Sequence, residues 1–505
     1  MKQFTAICLL IMLALSSFSQ TPSFITDSLE NYIKKGMKQW QIPGLSIVIV
    51  KDGKVVLMKG YGVKEMGKSD PVDENTLFMI ASNSKLFTAT SLAKLEFEKK
   101  ISLDDKVTKY IPWYKLYDPN VTSLVTIRDL LSHHLGTKTF QGDFTFWNAS
   151  MPRDSVIWKM RTLIPTNIFR TEYGYCNSGY VTAGKILETV TGTTWENYIE
   201  ENFLKPIGMN NTYPLTAGMK ERKNVAVPHT NSFSALTVIP FDAIDDMAPA
   251  GSMVSNVNDL SKWLLLQLDS GKQNSKQIIP WQAMIKTRDI NTVTNSRKSL
   301  FYPSHFVGYG MGLFIRDYNG RMVYWHTGGA DGFVSNTCLV PEEKLGIAIL
   351  TNNDNQNFFE ALRYQILDAY LGVSFTDRSN FQWGFQLQAM AQIKKDLKEM
   401  DDKVQLKNTP SLPLEFFAGE YNNTVYGKIS IAKDGNNLKI YFSHHPKLTA
   451  KLEYMGDYKF RTTYSNISYG IFPSIFVIKD GKVESVEIKV NDFLEFDSYT
   501  FTKNK

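Results

Sequence analysis

In the stretch "MIASNSKLFTA", residues 79–89, Ser82 and Lys85 stand three positions apart where an apolar run gives way to helical spacing. Residues three apart share a face of a helix, so the amine lies one turn from the hydroxyl. Two readings compete. Serine is a favoured N-cap and lysine a good helix former, which describes an ordinary helix start. The same pair is also the beginning of an activated nucleophile, because a free serine hydroxyl attacks poorly at neutral pH until a neighbour takes its proton. A lysine amine can take that proton once desolvation or a nearby cation lowers its pKa.

Ser-x-x-Lys occurs three times, and position separates the copies. Ser91 with Lys94 falls inside the helix that the opening stretch begins, where a serine hydroxyl bonds backward to the main chain. Ser430 with Lys433 lies in a predicted strand, where positions three apart point to opposite faces. Ser82 with Lys85 alone combines a strand-to-helix junction with a shared face. The free N–H groups of a helix start would there face an oxyanion on a bound acyl group.

Two further groups carry usable chemistry. In "EYGYCNSGY", Tyr175 and Asn177 flank Cys176, which has no adjacent base and reads as a packing residue. Tyr-x-Asn recurs at Tyr421 and Tyr464, both in the β-rich end of the chain. In "WHTGGADGF", His326, Thr327 and Gly328 end a predicted strand, and Gly329 would let a backbone N–H approach a ligand closely. His134 and Gly136 match the same short pattern but read as a helix end with a glycine C-cap.

The elements that must position these residues are legible as periodicity. "LSIVIVKDGKVVLMKG", residues 45–60, reads as two strands turning at Asp52-Gly53, preceded by an amphipathic segment at 26–40. "RMVYWHTGG", "GFVSNTCLV" and "LGIAILTN" read as three more strands, followed by a helix in "NQNFFEALRYQILDAYLG". The simplest packing is one antiparallel sheet with the terminal helices on a face and a separate helical lobe from mid-chain, leaving a cleft between sheet and helices. Helix starts in the lobe are expected at Thr126 and Asn258. Residues 376–411 form a charged, helical linker. From 412 to 505 the chain shows short alternating strands with Asp-Gly turns at Asp434 and Asp480, a small β-barrel or sandwich in which His444 and His445 read as loop residues. The fold class is α+β followed by a small all-β domain.

Bulk properties bound the function. The 505 residues imply two or three domains. Residues 1–20 have the layout of a cleaved secretory signal, and no later run of about 18 apolar residues follows, so an exported protein without a stable membrane anchor, periplasmic or extracellular, is expected. Loss of that leader, which holds one lysine and no acid, lowers the formal charge from +6 to +5, too mild an excess to imply a nucleic-acid partner. Cys176 and Cys338 are the cysteines beyond the leader, which argues against a disulfide framework. No cluster has zinc-ligand spacing, so no metal or other cofactor is expected.

Taken in order, Ser82/Lys85, Tyr175/Asn177 and His326/Thr327/Gly328 resemble the serine β-lactamase and penicillin-binding-protein superfamily. The resemblance is to its class C branch, which includes D-alanyl-D-alanine carboxypeptidases, D-aminopeptidases and esterases. "TIRDLLSHHLGT", "YCNSGYVTAGKILETVTG", "FLKPIGMNNT" and "VGYGMGLFI" resemble it too, and the similarity covers residues 25–375 as a β-lactamase/transpeptidase-like domain. The C-terminal region, with "FAGEYNNTVYGKISI", resembles a lipocalin-like domain of unknown function. The resemblance implies that Ser82 forms an acyl-enzyme, that Lys85 and Tyr175 share the proton traffic, and that Asn177 orients lysine and substrate. It further implies an oxyanion hole from the Ser82 and Gly329 N–H groups, with His326 and Gly328 on the substrate-facing strand. Many relatives carry lysine where this chain has His326. A histidine there points to a peptidase or esterase acting on a small molecule or short peptide, and predicts that carboxylate-bearing substrates show KM rising with pH through the imidazole titration. A β-lactamase or carboxypeptidase is the alternative, and a non-hydrolytic binding or sensor protein a second.

Overall fold

A computed structural model describes residues 21–504, so the leader reading at 1–20 lies outside the described residues. An eight-stranded antiparallel sheet is built from strands β1 (Gly44–Lys51), β2 (Lys54–Gly62), β3 (Thr292–Asn295), β4 (Val307–Tyr309), β5 (Phe314–Tyr318), β6 (Arg321–Ala330), β7 (Phe333–Val340) and β8 (Leu345–Thr351). Their spatial order is β2-β1-β8-β7-β6-β5-β4-β3, so the two ends of the domain meet at the β1–β8 pair. Asp52 and Gly53 both take positive φ, 51° and 75°, the conformation a two-residue hairpin turn needs.

Alternation along β1 covers both faces. Leu45, Ile47 and Ile49 pack with helices α1 (Leu29–Gln39) and α7 (Phe358–Tyr370), while Val48 and Val50 join the core shared with the helical lobe. That lobe holds α2 (Ser84–Phe97), α3 (Ile127–Leu131), α4 (Asp143–Phe146), α5 (Asn177–Thr191) and α6 (Val257–Leu268). Thr126 caps α3 reciprocally with Asp129. Two expected boundaries are displaced. The cap of α6 is Asn256, whose side chain accepts from the Asp259 N–H, whereas Asn258 sits inside the first turn and donates to Asn75. Helix α3 ends at Leu131 because His133 already takes a left-handed φ of 60°, so Gly136, at φ 84°, serves the following loop and not a C-cap.

Helices α7 (Phe358–Tyr370) and α8 (Arg378–Gln405) complete the domain and lead out of it. Helix α8 spans the charged segment, and its first two residues are buried. Arg378 Nε pairs with Asp368 at 2.6 Å, and Trp40 Nε1 donates to Ser379 Oγ at 2.9 Å. At its far end, Asp401 pairs with Arg461 of the C-terminal domain.

That domain is a closed eight-stranded barrel of β9 (Gly419–Asn423), β10 (Gly427–Asp434), β11 (Asn437–Phe442), β12 (His445–Gly456), β13 (Lys459–Tyr464), β14 (Ile471–Lys479), β15 (Lys482–Ile488) and β16 (Tyr499–Lys503). Aromatic rings fill it, among them Phe417, Tyr421, Phe460 and Phe476. His445 is not a loop residue. It opens β12, buried, with Nε2 donating to the Trp147 carbonyl of the lobe at 2.9 Å and Nδ1 accepting from Tyr426 at 2.6 Å. Among the described residues no helix is long and apolar enough to cross a membrane.

Candidate active site

Ser82 lies in a 3₁₀ turn, Ala81–Asn83, wedged between the short strand Phe78–Met79 and α2. Three devices hold the turn. Ala81 takes φ 46°, a left-handed conformation that costs a non-glycine residue about 1–2 kcal/mol. Asn83 ties it to β7, donating to Ser335 Oγ at 2.9 Å and accepting from Thr337 Oγ1 at 2.6 Å. Ser84 is fully buried, donates to the Ala81 carbonyl at 2.7 Å and accepts from the Met253 N–H at 3.1 Å. Ser84 is therefore bound into the frame, while Ser82 is partly exposed and lines the cleft.

Beneath Ser82, Lys85 has no exposed surface, and its Nζ meets Ser82 Oγ at 3.1 Å, Asn177 Oδ1 at 2.7 Å and the Ala250 carbonyl at 2.7 Å. Burial is the main reason its pKa falls from 10.5 to about 7, and the Asp143 carboxylate opposes that fall. Asn177, the first residue of α5, spends its other end on Asp143, donating to Oδ2 at 2.6 Å. Asp143 is buried, which pushes its carboxyl up to about 7 against the pull of Asn177 and Lys85.

The Tyr175 phenol faces Ser82, and the Lys85 ammonium position lies 4.6 Å from the Tyr175 ring centre. Burial drives the phenol well above its ordinary value. The ring rests on buried His133, 4.3 Å between centres, whose Nδ1 accepts from the Cys176 N–H at 3.0 Å. Cys176 itself is buried with its thiol pKa raised, so it stays a neutral packing group.

Strand β6 forms the opposite wall. A Cβ on Gly328 would stand 2.1 Å from the Ile80 carbonyl oxygen, so only glycine lets this strand lie against the Ser82 turn. A Cβ on Gly329 would meet Phe493 Cζ at 2.8 Å, so the space that glycine leaves is occupied by a barrel side chain. His326 contacts the cleft but is not a free donor. Its Nδ1 must donate to the Thr327 carbonyl at 2.5 Å, which leaves Nε2 to accept from Tyr309 at 3.1 Å. Burial, then Lys85, lowers its pKa to about 3. The expected KM change with histidine titration therefore falls away, because the imidazole is neutral throughout the working range.

Ser82, Tyr175, Asn177, His326, Gly328 and Gly329 thus border one cleft of about 410 Å³ with Lys85 as its floor. The other pattern matches lie elsewhere. Ser91 bonds back to the Phe87 carbonyl at 2.8 Å, and Ser430 and Tyr421 sit on barrel strands. Sequence reasoning missed Asp143 and the barrel residues Phe493 and Leu494, which line the cleft, and the buried His133 behind Tyr175. Gly142-Asp143-Phe144 has no periodicity or motif that would mark it. Among the described residues, no group of three or more His, Cys, Asp or Glu is placed to hold a metal ion.

Residues 29–371 match the family model described as β-lactamase. The chain belongs to that family. Residues 404–503 of this β-lactamase-family protein match a domain of unknown function, DUF3471, which coincides with the barrel. It is 27% identical over 434 residues to an unguisins hydrolase of Aspergillus campestris, covering 81% of this chain and 78% of that protein. To the protein flp of Staphylococcus aureus it is 26% identical over 350 residues, covering 68% and 66%. The octameric penicillin-binding protein homologue from Pyrococcus abyssi shares the fold, with a TM-score of 0.62 and 24% identity over 95% of this chain and 100% of that one.

Proposed function

We propose that this family member is a serine hydrolase that cleaves a small amide or ester through an acyl-enzyme on Ser82. The observation that carries the reading is the sealed lysine amine against the serine hydroxyl. A neutral amine has two N–H bonds, and the Asn177 and Ala250 oxygens at 2.7 Å accept both. Its lone pair then faces Ser82, the more distant partner at 3.1 Å, and takes the hydroxyl proton as Oγ attacks the acyl carbon. Lys85, with a pKa of about 7, is half neutral at pH 7, whereas Tyr175 is held as a phenol, so Lys85 is the base and Tyr175 relays the proton to the leaving group. The Ser82 and Gly329 N–H groups receive the oxyanion. Water then hydrolyses the acyl-enzyme. The fungal relative's name, a hydrolase, supports turnover.

The substrate lacks a carboxylate near the scissile bond. Apart from Lys85 beneath Ser82, no lysine or arginine among the described residues lines the cleft, and His326 is neutral. Export, from the layout of residues 1–20, completes the proposal. The test is fluorophosphonate labelling with peptide mapping, alongside turnover of short-chain nitrophenyl esters, D-amino acid anilides and a cephalosporin. Ser82→Ala is expected to abolish labelling and turnover. Ser84→Ala should keep labelling while losing about 1–3 kcal/mol of stability from a stranded buried N–H. Modification mapped to Ser84 overturns the nucleophile, and a cephalosporin turned over faster than the neutral substrates makes the protein a β-lactamase instead.

A further inference from the structure

One residue of the lobe, Phe144, is a plug in the barrel. It is fully buried, and its ring lies 4.8 Å from Tyr426 and 5.3 Å from His445, both stacked, with Tyr499 and Phe442 edge-on at 5.6 and 5.9 Å. The barrel loop between β15 and β16 returns the grip. Glu495, itself buried, accepts the Gly142 N–H on Oε1 at 2.8 Å and the Phe144 N–H on Oε2 at 3.0 Å, and Tyr499 donates to Oε2 at 2.7 Å. His445 holds the Trp147 carbonyl, and the Ser150 N–H donates to the His444 carbonyl at 2.8 Å.

Between the two amides that Glu495 holds lies Asp143, whose side chain turns the other way, to Asn177. Helix α4 has four residues, one turn, and cannot hold its own geometry in isolation. The path from Glu495 through the main chain at 142–144 to Asp143, Asn177, Lys85 and Ser82 is continuous, with each side-chain link between 2.6 and 3.1 Å.

We propose that Glu495 and Phe144 are positioning residues, and that the barrel acts through them to set the Asp143–Asn177–Lys85 relay that aims the base at Ser82. The catalytic consequence rests on the hydrolase reading above; the anchoring does not. Replacement of Glu495 by glutamine keeps the shape but sets an NH₂ against one of the two main-chain N–H groups whichever way the amide turns.

The experiment uses the full chain as wild type, Glu495→Gln, Phe144→Leu and Phe476→Leu. The last trims the barrel core at a ring that contacts Phe417 and Phe460, away from the plug. Two quantities are read: hydrogen exchange of the amides at 140–147, and fluorophosphonate labelling of Ser82 separated into maximal rate and half-saturating concentration. Glu495→Gln and Phe144→Leu are expected to speed exchange of the segment and to lower the maximal rate on the order of tenfold with half-saturation unchanged, as a misplaced catalytic group does. Phe476→Leu is expected to do neither. Wild-type exchange and labelling in Glu495→Gln overturn the proposal, as does an equal loss in Phe476→Leu. If Glu495→Gln does not fold, Phe144→Leu decides by the same criteria. A wild-type chain that does not label overturns the hydrolase reading, and exchange alone then judges the anchoring, an unchanged segment in both variants refuting it.

Discussion

Lys85 sits where a charged amine is expensive, and two carbonyl oxygens can take both N–H bonds of its neutral form. On the proposed reading, in which the neutral amine is the base, kcat/KM for a neutral ester should rise with pH through about 7, the value to which burial lowers Lys85. The Asp143 carboxylate raises that pKa, so Asp143→Asn, whose amide oxygen still accepts from Asn177, should move the rising limb to lower pH. A pH–rate profile of the two proteins checks the sign; a limb that moves upward would remove Asp143 from the electrostatics of the base. His326 should leave no inflection near neutral pH in either profile, because burial lowers its pKa to about 3.

At the scale of elements, the site is a junction of one strained turn with one strand edge. Gly328 has no room for a methyl group, since the obstructing atom is the main-chain oxygen of Ile80, just before the Ser82 turn, and not the tip of a flexible side chain. Gly328→Ala is expected to separate β6 from the turn, lowering stability by about 1–3 kcal/mol and labelling by more than the stability loss explains. Gly384 makes the contrast, because it lies exposed in α8 with open space where its side chain would be. Gly384→Ala should therefore stabilise by about 0.5–1 kcal/mol through helix propensity alone and leave labelling untouched. Thermal melts and labelling rates of both variants test the pair.

Across the whole molecule several carboxyls are buried, and one of them, Asp331, sits where the barrel meets the β-lactamase-family domain. Asp331 accepts from barrel residue Ser468 at 2.7 Å, and its N–H donates to Asp242 at 2.9 Å. Burial pushes Asp354 up to about 7 and Asp246 up to about 8. Each holds its proton in the fold at a pH where the unfolded chain, with carboxyls near 4, has released it. Stability from these groups is full below pH 4 and declines as pH rises toward 8. Denaturant melts at pH 5 and 8 should show that decline, and Asp246→Asn, at a site whose two carboxyl oxygens lack partners, should flatten it by about 1–3 kcal/mol. An equally steep decline in the variant would assign the loss to other groups.

Local chemistry in the sequence determined what short range can determine. Ser82 and Lys85 share a helical face by spacing, Thr126 and Asp129 form their cap within four residues, an apolar run ending at the Asp52-Gly53 turn marked β1, and period-two alternation marked the barrel strands. Tertiary structure decided the rest. Asn177 reaches Lys85 across 92 positions, and Glu495 reaches Gly142 across 353, distances over which periodicity carries no register. The state of His326 was likewise beyond reach, because an imidazole's pKa follows from its burial and from the Tyr309 and Thr327 groups that close around it, and those are set only when the sheet and lobe pack.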